Sequence, residues 1–503
     1  MRNRLSSSFA GTLHISYHMS AVNLVASGLG YIHIVVVIAV SLRVIVKRRP
    51  PGVSLAWLIL VAVLPYAGAI LYLLMGERTL GRKRARRAEA LLQPLRNWMA
   101  PIASASRHAL EGEPAGWDKL QRFVESSVRV PALGGNELKL FEGADATLNA
   151  IIEEIDRARK TCDMEFYIWN RGGLAEEVAQ ALIRAEGRGV RCRVLLDSVG
   201  SGAFLKSDLV KEMRKGGVEV VEALPVGLLR SLFVRVDLRL HRKIVVIDGA
   251  IAFTGSLNMV DPRFFKQGAG VGEWVDAMVR VTGPAVKLLE LVFVWDWLIE
   301  TGETLDSLIP SSEAELPGAA GQAVAQVLPS GPGYEGDAIY QVLLTSIYAS
   351  RRELIMTTPY FVPDEPIIGA LQAAARRGVA VTLIVPERVD SVMVRYASRA
   401  YTDDLLSAGV RILRFRGGLL HTKSVVIDGE TTLFGTVNLD IRSLRLNFEV
   451  TMIAYDRVFG SAVRELQLRY ALRSEPIDLQ RWRQRRRFNR LLENAAQLVS
   501  PLL

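Results

Sequence analysis

The sequence predicts an α/β body of two similar halves packed around one active site, preceded by a pair of transmembrane helices. Three observations predict this. Helix–strand units recur about 189 residues apart, a polar motif occurs once in each copy, and two long apolar stretches precede the first copy.

The apolar stretches come first in the chain. Residues 52–76, GVSLAWLILVAVLPYAGAILYLLMG, form 25 residues without a charge. At 1.5 Å per residue that is enough to cross a hydrocarbon core of ~30 Å, and a membrane helix tolerates a mid-span proline such as Pro65. An earlier stretch, 21–46, holds His33 and Arg43, and the basic turn Lys47-Arg48-Arg49-Pro50-Pro51 joins the two. A cleaved signal peptide fits poorly, because the span is too long and no small-residue cleavage site follows. A buried core helix pair is the other reading. Eight Lys/Arg flank the outer ends of the pair (Arg2, Arg4, Arg78, Arg82, Lys83, Arg84, Arg86, Arg87), against four at the turn. That bias places both ends, and the body, on the cytoplasmic side of the membrane. Residues 1–90 are therefore read as a two-helix membrane anchor with a basic juxtamembrane segment.

Composition narrows the function classes. Half of the 503 residues are apolar, and the mean hydropathy is +0.21. The only cysteines, Cys162 and Cys192, rule out a disulfide framework and a cysteine-rich zinc site. The net charge of +10 sits at the ends. Residues 1–90 carry twelve Lys/Arg against two acids and residues 481–503 six against one, leaving the body between them at about −5. A nucleic-acid binder carries its positive charge on the body, so no nucleic-acid partner is expected.

The duplication follows. RGVRCRVLLD near 188 and RGVAVTLIVP near 377 both read as a helix end turning into a buried strand. IIEEIDRARKTCDMEFYIW and VLLTSIYASRRELIMTTPYF each read as a helix then a strand, and GVEVVEA (217–223) echoes GVRILRF (409–415). The halves span 120–303 and 334–475. Residues 304–333, rich in Pro, Gly, Ala and Ser, read as a linker. The strand repeats lie 189–192 residues apart but the histidine motifs only 180, so about a dozen extra residues precede the first histidine. They fall in LPVGLLRSLFVRVDLRL (224–240), either an ordinary loop and strand or an amphipathic flap touching anionic lipid.

The motif itself reads H-x-K-x4-D-x6-G-[ST]-x-N in both halves. The first copy holds His241, Lys243, Asp248, Gly255, Ser256 and Asn258, the second His421, Lys423, Asp428, Gly435, Thr436 and Asn438. The β-branched runs after each histidine predict buried strands. Residues i and i+2 of a strand share a side, so each His projects with its Lys. If the halves pack about a twofold, two His, two Lys and two Asn converge in a pocket rich in donors, which suits a phosphate. Two histidines lack the further ligands zinc requires, and the lysines repel a cation, so no metal is expected. Asp248 and Asp428 end their strands before a glycine. They are candidates for the catalytic set or for strand-end carboxylates.

These motifs resemble those of the phospholipase D superfamily, most closely its bacterial cardiolipin synthases. The resemblance extends over MVDPRFFKQGAGVGEWVD, TTPYFVPDE, NLDIRSLRLNFE and the C-terminal SPLL. It implies two α/β halves around one metal-free site with no cofactor. It also implies exchange at a phosphodiester through a phosphohistidine, with His241 as nucleophile and His421 as general acid/base. The resemblance further implies an orienting acid some 25–35 residues past each histidine. Asp276 and Glu449 fit, and are expected to pair with His241 and His421 respectively. Ser256, Asn258, Thr436 and Asn438 are expected to support or bind the phosphate. The implied reaction turns two phosphatidylglycerols into cardiolipin and glycerol. A lipid hydrolase and a membrane-attached nuclease of the same superfamily, and a non-catalytic lipid-binding scaffold, are the alternatives. Tyr360 is read either as part of the headgroup site or as a core aromatic. The segment 476–503, with Arg481, Arg483, Arg485, Arg486, Arg487 and Arg490 among Trp482, Phe488, Leu491 and Leu492, reads as a basic interfacial helix.

Overall fold

The computed structural model describes residues 28, 30–47, 51–64, 66–76, 81–109, 118–226, 235, 237–305, 316–332, 334, 337–485 and 487–499. They divide into an N-terminal helical unit and a large body.

In the N-terminal unit, residues 30–46 are helical, and the 25-residue apolar stretch divides into the helices Pro51–Val63 and Ala67–Met75. Between the two helices Tyr66 takes a positive φ of 60°. Among the described residues no helix is long and apolar enough to cross a membrane. The single continuous span expected for 52–76 is corrected to two shorter helices. Val40, Val44, Trp57, Val61 and Tyr72 form a small core, with Trp57 edge-on to Tyr72. Ile34, Val35, Ile38, Leu42, Leu55, Ile59, Ile70 and Leu73 stay exposed.

The body is organised by one sheet, fifteen-stranded among the described residues. Outward from the centre, the first half contributes Leu133–Glu142, Ala277–Thr282, Ile251–Gly255, Lys243–Ile247, Thr161–Phe166, Arg191–Asp197 and Glu219–Ala223. The second contributes Ala323–Ser330, Glu449–Tyr455, Thr431–Gly435, Ser424–Ile427, Glu353–Thr357, Ala380–Pro386 and Arg411–Phe415, with Ser474–Pro476 added at the edge. The order reads alike in both directions from the antiparallel central pair Leu133–Glu142 and Ala323–Ser330, as a twofold relation between halves requires. In each half three successive strands run parallel, joined by crossover helices (161–166, 191–197 and 219–223; 353–357, 380–386 and 411–415), while the inner strands and the edge strand Ser474–Pro476 are antiparallel. Strands covered on both faces read as continuous apolar runs, which is why VRCRVLLD and VAVTLIVP were legible.

Two boundaries need correction. Residues 323–330 belong to no linker: AVAQVLPS is a wholly buried strand at the centre of the sheet. Its small and Pro-flanked composition resembles a loop, but Gln326 secures it by donating to Val130 O and Gln121 O and accepting from Tyr455. The helix Asp118–Val128, assigned to the first half, places Leu120 and Val124 in the core of the second.

A long helix follows the last strand of each half, Val286–Thr301 and Arg457–Leu472. The first is buried on most of its surface, the charged Lys287, Glu290 and Asp296 included. The helix Arg82–Ala109 helps cover it through Ala88, Leu91, Leu95 and Trp98. Arg84 forms two 2.8 Å bonds to the Glu300 carboxylate, and Arg87 donates to the terminal carbonyls of Ile299 and Glu300. Two of the arginines read as juxtamembrane charge thus hold the body together.

Candidate active site

Each histidine begins beside a strand of its own half but is fastened to the other half. His241 N donates to Phe448 O, and Leu240 bridges Phe448 in parallel. His421 N donates to Val275 O, where Leu419–Leu420 pairs in parallel with Trp274–Val275. The residue after each of these partners is an acid, Glu449 and Asp276. Main-chain pairing therefore sets each acid against the opposite half's imidazole. His241 Nδ1 bonds Glu449 Oε2 at 2.8 Å, and His421 Nδ1 bonds Asp276 Oδ1 at 2.7 Å. The expected pairs, Asp276 with His241 and Glu449 with His421, are corrected: the acids are exchanged between halves. Spacing within each half gives no hint of this, because the exchange arises from the docking of the halves.

All four groups are buried. Burial pushes both imidazoles down to about 4, outweighing the carboxylates that favour their charged forms; Lys243 and Lys423 add repulsion. Each imidazole is therefore neutral at pH 7, with Nδ1 committed to a carboxylate and Nε2 carrying its lone pair. Burial would raise Asp276, but His421, Lys423 and the Ser256 hydroxyl outweigh it and hold the carboxyl below its usual range. Lys243 and Lys423 each donate from Nζ to the carbonyl of their own histidine, at 2.6 Å. Burial lowers them to about 8 and about 7. Each lysine also influences the histidine of the other half, so one seam between the halves holds two imidazoles and two ammonium groups.

Ser256 donates to Asp276 Oδ1 at 2.6 Å, while Thr436 clasps Val450, the neighbour of Glu449, through both its N–H and C=O. Both hydroxyls serve the acid-bearing strands. Asn258 is buried and accepts from Ile168 N, next to Tyr167, whose ring packs 4.9 Å from that of His241. Asn438 is buried with its Oδ1 unpaired and its side chain bonded to Asp440.

Asp248 and Asp428 lie elsewhere. Each opens an Asp-Gly turn, with φ of 52° and 55° followed by left-handed Gly249 and Gly429. Positive φ at both residues suits the tight three-residue hairpins that join Ile247 to Ile251 and Ile427 to Thr431. Their carboxylates accept N–H groups from Arg159, Lys160 and Thr161, and from Arg351, Arg352 and Glu353. A five-residue strand, roughly 16 Å, separates Asp248 from its histidine. Their inclusion in the catalytic set is corrected: they anchor the start of the neighbouring strand.

Several residues escaped the sequence reading. Trp274 packs 4.3 Å from the His421 ring, as Tyr167 does at His241. Arg242, between His241 and Lys243, turns to the opposite face. It donates to Glu449 O at 3.0 Å and to Ser330 O, and it is ion-paired with buried Asp296. Behind Asp296 lies buried Glu165, its carboxyl raised by burial and by Asp296. Strand alternation points Arg242 into the core, and the lone acid in the run VFVWDWLI supplies its counter-charge. The second half has Thr422 here, bonded to Val275 O and Tyr470. Tyr360 donates to Asp390 Oδ1 at 2.6 Å, and Lys266 of the first half bonds the other Asp390 oxygen at 3.1 Å.

The matches to known proteins agree with this geometry. The family model described as "Cardiolipin synthase, PLD-like domain" matches residues 151–291 and 343–469, one stretch in each half. The chain belongs to the cardiolipin synthase family of the phospholipase D superfamily. A "Phospholipase_D-nuclease N-terminal" model matches 35–77. Cardiolipin synthase A of Yersinia pseudotuberculosis is 46% identical over 469 residues, covering 92% of this chain and 96% of that protein. The Erwinia tasmaniensis protein of the same name is 45% identical over 471 residues, with the same coverage. The phosphatidylserine synthase of Haemophilus influenzae shares the fold, with a TM-score of 0.55 at 16% identity over 76% of this chain and 100% of its own.

In this member of the cardiolipin synthase family, Asp248→Ala separates the two readings of that residue. Losing an acceptor for three N–H groups lowers stability by about 1–3 kcal/mol in all, since the Arg159 and Lys160 donors are exposed and turn to water. Thermal unfolding in detergent reads this as a lower Tm, with turnover of the remaining folded enzyme kept within a few-fold. Unchanged Tm with turnover reduced a thousandfold would return Asp248 to the catalytic set.

Proposed function

We propose that this protein transfers a phosphatidyl group from one phosphatidylglycerol to another, giving cardiolipin and glycerol. The carrying observation is the pair of buried imidazoles, each with Nδ1 tied to a carboxylate of the opposite half, in a chain that matches Cardiolipin synthase A over 92% of its length.

In the proposed reaction, Nε2 of His241 attacks phosphorus and the bond from phosphorus to the glycerol oxygen breaks. His421, protonated in the complex and steadied by ionised Asp276, gives its proton to the departing glycerol. The hydroxyl of a second phosphatidylglycerol then returns a proton to His421 and attacks the phosphohistidine, freeing His241. Lys243 and Lys423 offer their remaining N–H groups to the phosphate oxygens, where charge builds up. Positioned proton transfer of this kind contributes about 10²–10⁴-fold. One diester replaces another, so the exchange is reversible, and exclusion of water favours the lipid alcohol.

The proposal places the N-terminal helices in the bacterial inner membrane as a hairpin, with the body cytoplasmic. Their exposed aliphatic side chains suit a lipid surroundings, and the Lys/Arg bias sets the orientation. The C-terminal arginines contribute less than the sequence suggests. Arg483 pairs with Asp403, and Arg485 pairs with Glu493 and stacks on Trp482. Phe488 and Leu491 remain exposed on the helix Arg487–Val499, and in this reading they meet the lipid surface.

Labelled phosphatidylglycerol in liposomes should yield cardiolipin and glycerol in equal amounts. Phosphatidic acid in their place would establish a hydrolase, and cleavage of single-stranded DNA without lipid turnover a nuclease. The pH profile of kcat/KM follows from the buried groups. It rises through about pH 4 as His241, the nucleophile, loses its proton. It falls between about pH 7 and 8 as Lys423 and then Lys243 lose their charge. Lys423→Arg, permanently charged, should move the alkaline limb upward. A wild-type plateau reaching pH 9 would contradict the role given to the lysines.

A further inference from the structure

Away from the histidines, the second half holds a cavity of about 70 Å³ under its C-terminal segment. Arg395 and Arg399 line it from the helix Val392–Ala400, four residues apart and so on one face. Arg414 joins them from the strand Arg411–Phe415 and Trp482 from the helix Leu479–Arg483. Two of these four bury a donor with no hydrogen-bond partner, Arg414 Nε and Trp482 Nε1. A buried donor left unmet costs about 1–3 kcal/mol, and the cavity has room for a group several waters in size.

The nearby carboxylates do not settle this charge. Glu387 lines the cavity but faces Arg416 at 3.5 Å. Glu475 takes the far end of Arg414 at 3.2 Å and also pairs with Arg416, while Glu493 is bound by Arg485. Arg399 is held below its usual range by burial and by the charges of Arg395 and Arg414, against the pull of Glu493. Three guanidinium groups and an indole N–H around a small cavity make a site for a tetrahedral oxyanion, which arginine recognises through paired N–H groups.

We propose that this cavity is a second phosphate-binding site, distinct from the one at the histidines, and that it takes a phosphate ester, either free or on a lipid headgroup. Its position gives it a bearing on catalysis. Pro359 and Val389 line it, and their chain neighbours Tyr360 and Asp390 are hydrogen-bonded to each other. Lys266 of the first half reaches Asp390 and lies 5.4 Å from the ring centre of Trp274, which packs on His421. A phosphate in the cavity therefore sits directly behind a contact that joins the two halves beside His421.

The test counts bound phosphate on the full-length protein in detergent, by equilibrium dialysis against radiolabelled inorganic phosphate. A parallel arm titrates dihexanoyl phosphatidylglycerol below its micellar concentration. Three variants are compared with the wild type. Arg399→Gln combined with Arg414→Gln removes the charge, Ser398→Leu fills the cavity and keeps every arginine, and Arg411→Gln is an exposed control. The number of phosphates bound per chain should fall by one in the first two and stay constant in the third. A loss seen only with the lipid probe would identify a headgroup as the ligand; a loss with both would identify the phosphate itself. If the double variant fails to fold, Ser398→Leu carries the test alone. An unchanged count with both probes in Ser398→Leu overturns the proposal.

Discussion

The body depends on one interaction made twice: an imidazole of one half bonded to a carboxylate of the other. The two bonds, 2.8 Å at His241 and 2.7 Å at His421, lie where short parallel main-chain pairings lock the halves together. Neither half alone contains a complete imidazole–acid pair. Docking of the halves and assembly of the site are therefore one event, and the central antiparallel strands fix the relation between them.

Burial gives these pairs their chemical character. In water an imidazole and a lysine keep ordinary affinities for protons; here desolvation weakens both. The histidines become neutral, with their Nε2 lone pairs free. The lysines keep a charge that is easily lost. Carboxylates at Nδ1 oppose the desolvation and make protonation accessible once a phosphate arrives. The arrangement is asymmetric behind the first histidine, where Arg242 supports the main chain of Glu449 and draws its counter-charge from Asp296. Thr422, in the matching position, does the work of a neutral hydroxyl. Two chemically unequal histidines in a nearly symmetric frame suit a reaction that gives them different parts.

Much of this was legible in the residues. The duplication, the β-branched strands after each histidine and the approach of Lys to His two residues away are local and periodic properties, which sequence records directly. Asp276 and Glu449 were recognisable as acids ahead of apolar strands. Their exchange between halves was not, since it is decided by strands that meet across the interface. Asp248 and Asp428 illustrate a second limit. An Asp-Gly turn and a catalytic carboxylate look the same in one dimension, and only the three N–H groups gathered at each show which it is. AVAQVLPS was mistaken for linker because small residues and proline suggest exposure, whereas here they fill a crowded sheet centre. The arginines at 84, 87 and 483 read as lipid-facing charge because their partners are remote in sequence.

The exchange is tested most directly by trapping the proposed phosphohistidine with a phosphatidyl ester of p-nitrophenol, labelled at phosphorus, whose leaving group departs without a proton. Protein quenched in alkaline detergent, where a phosphohistidine survives, should carry label in the His421→Ala and Asp276→Asn variants and lack it in His241→Ala and Glu449→Gln. Label retained by Glu449→Gln and lost from Asp276→Asn would contradict the cross-half pairing.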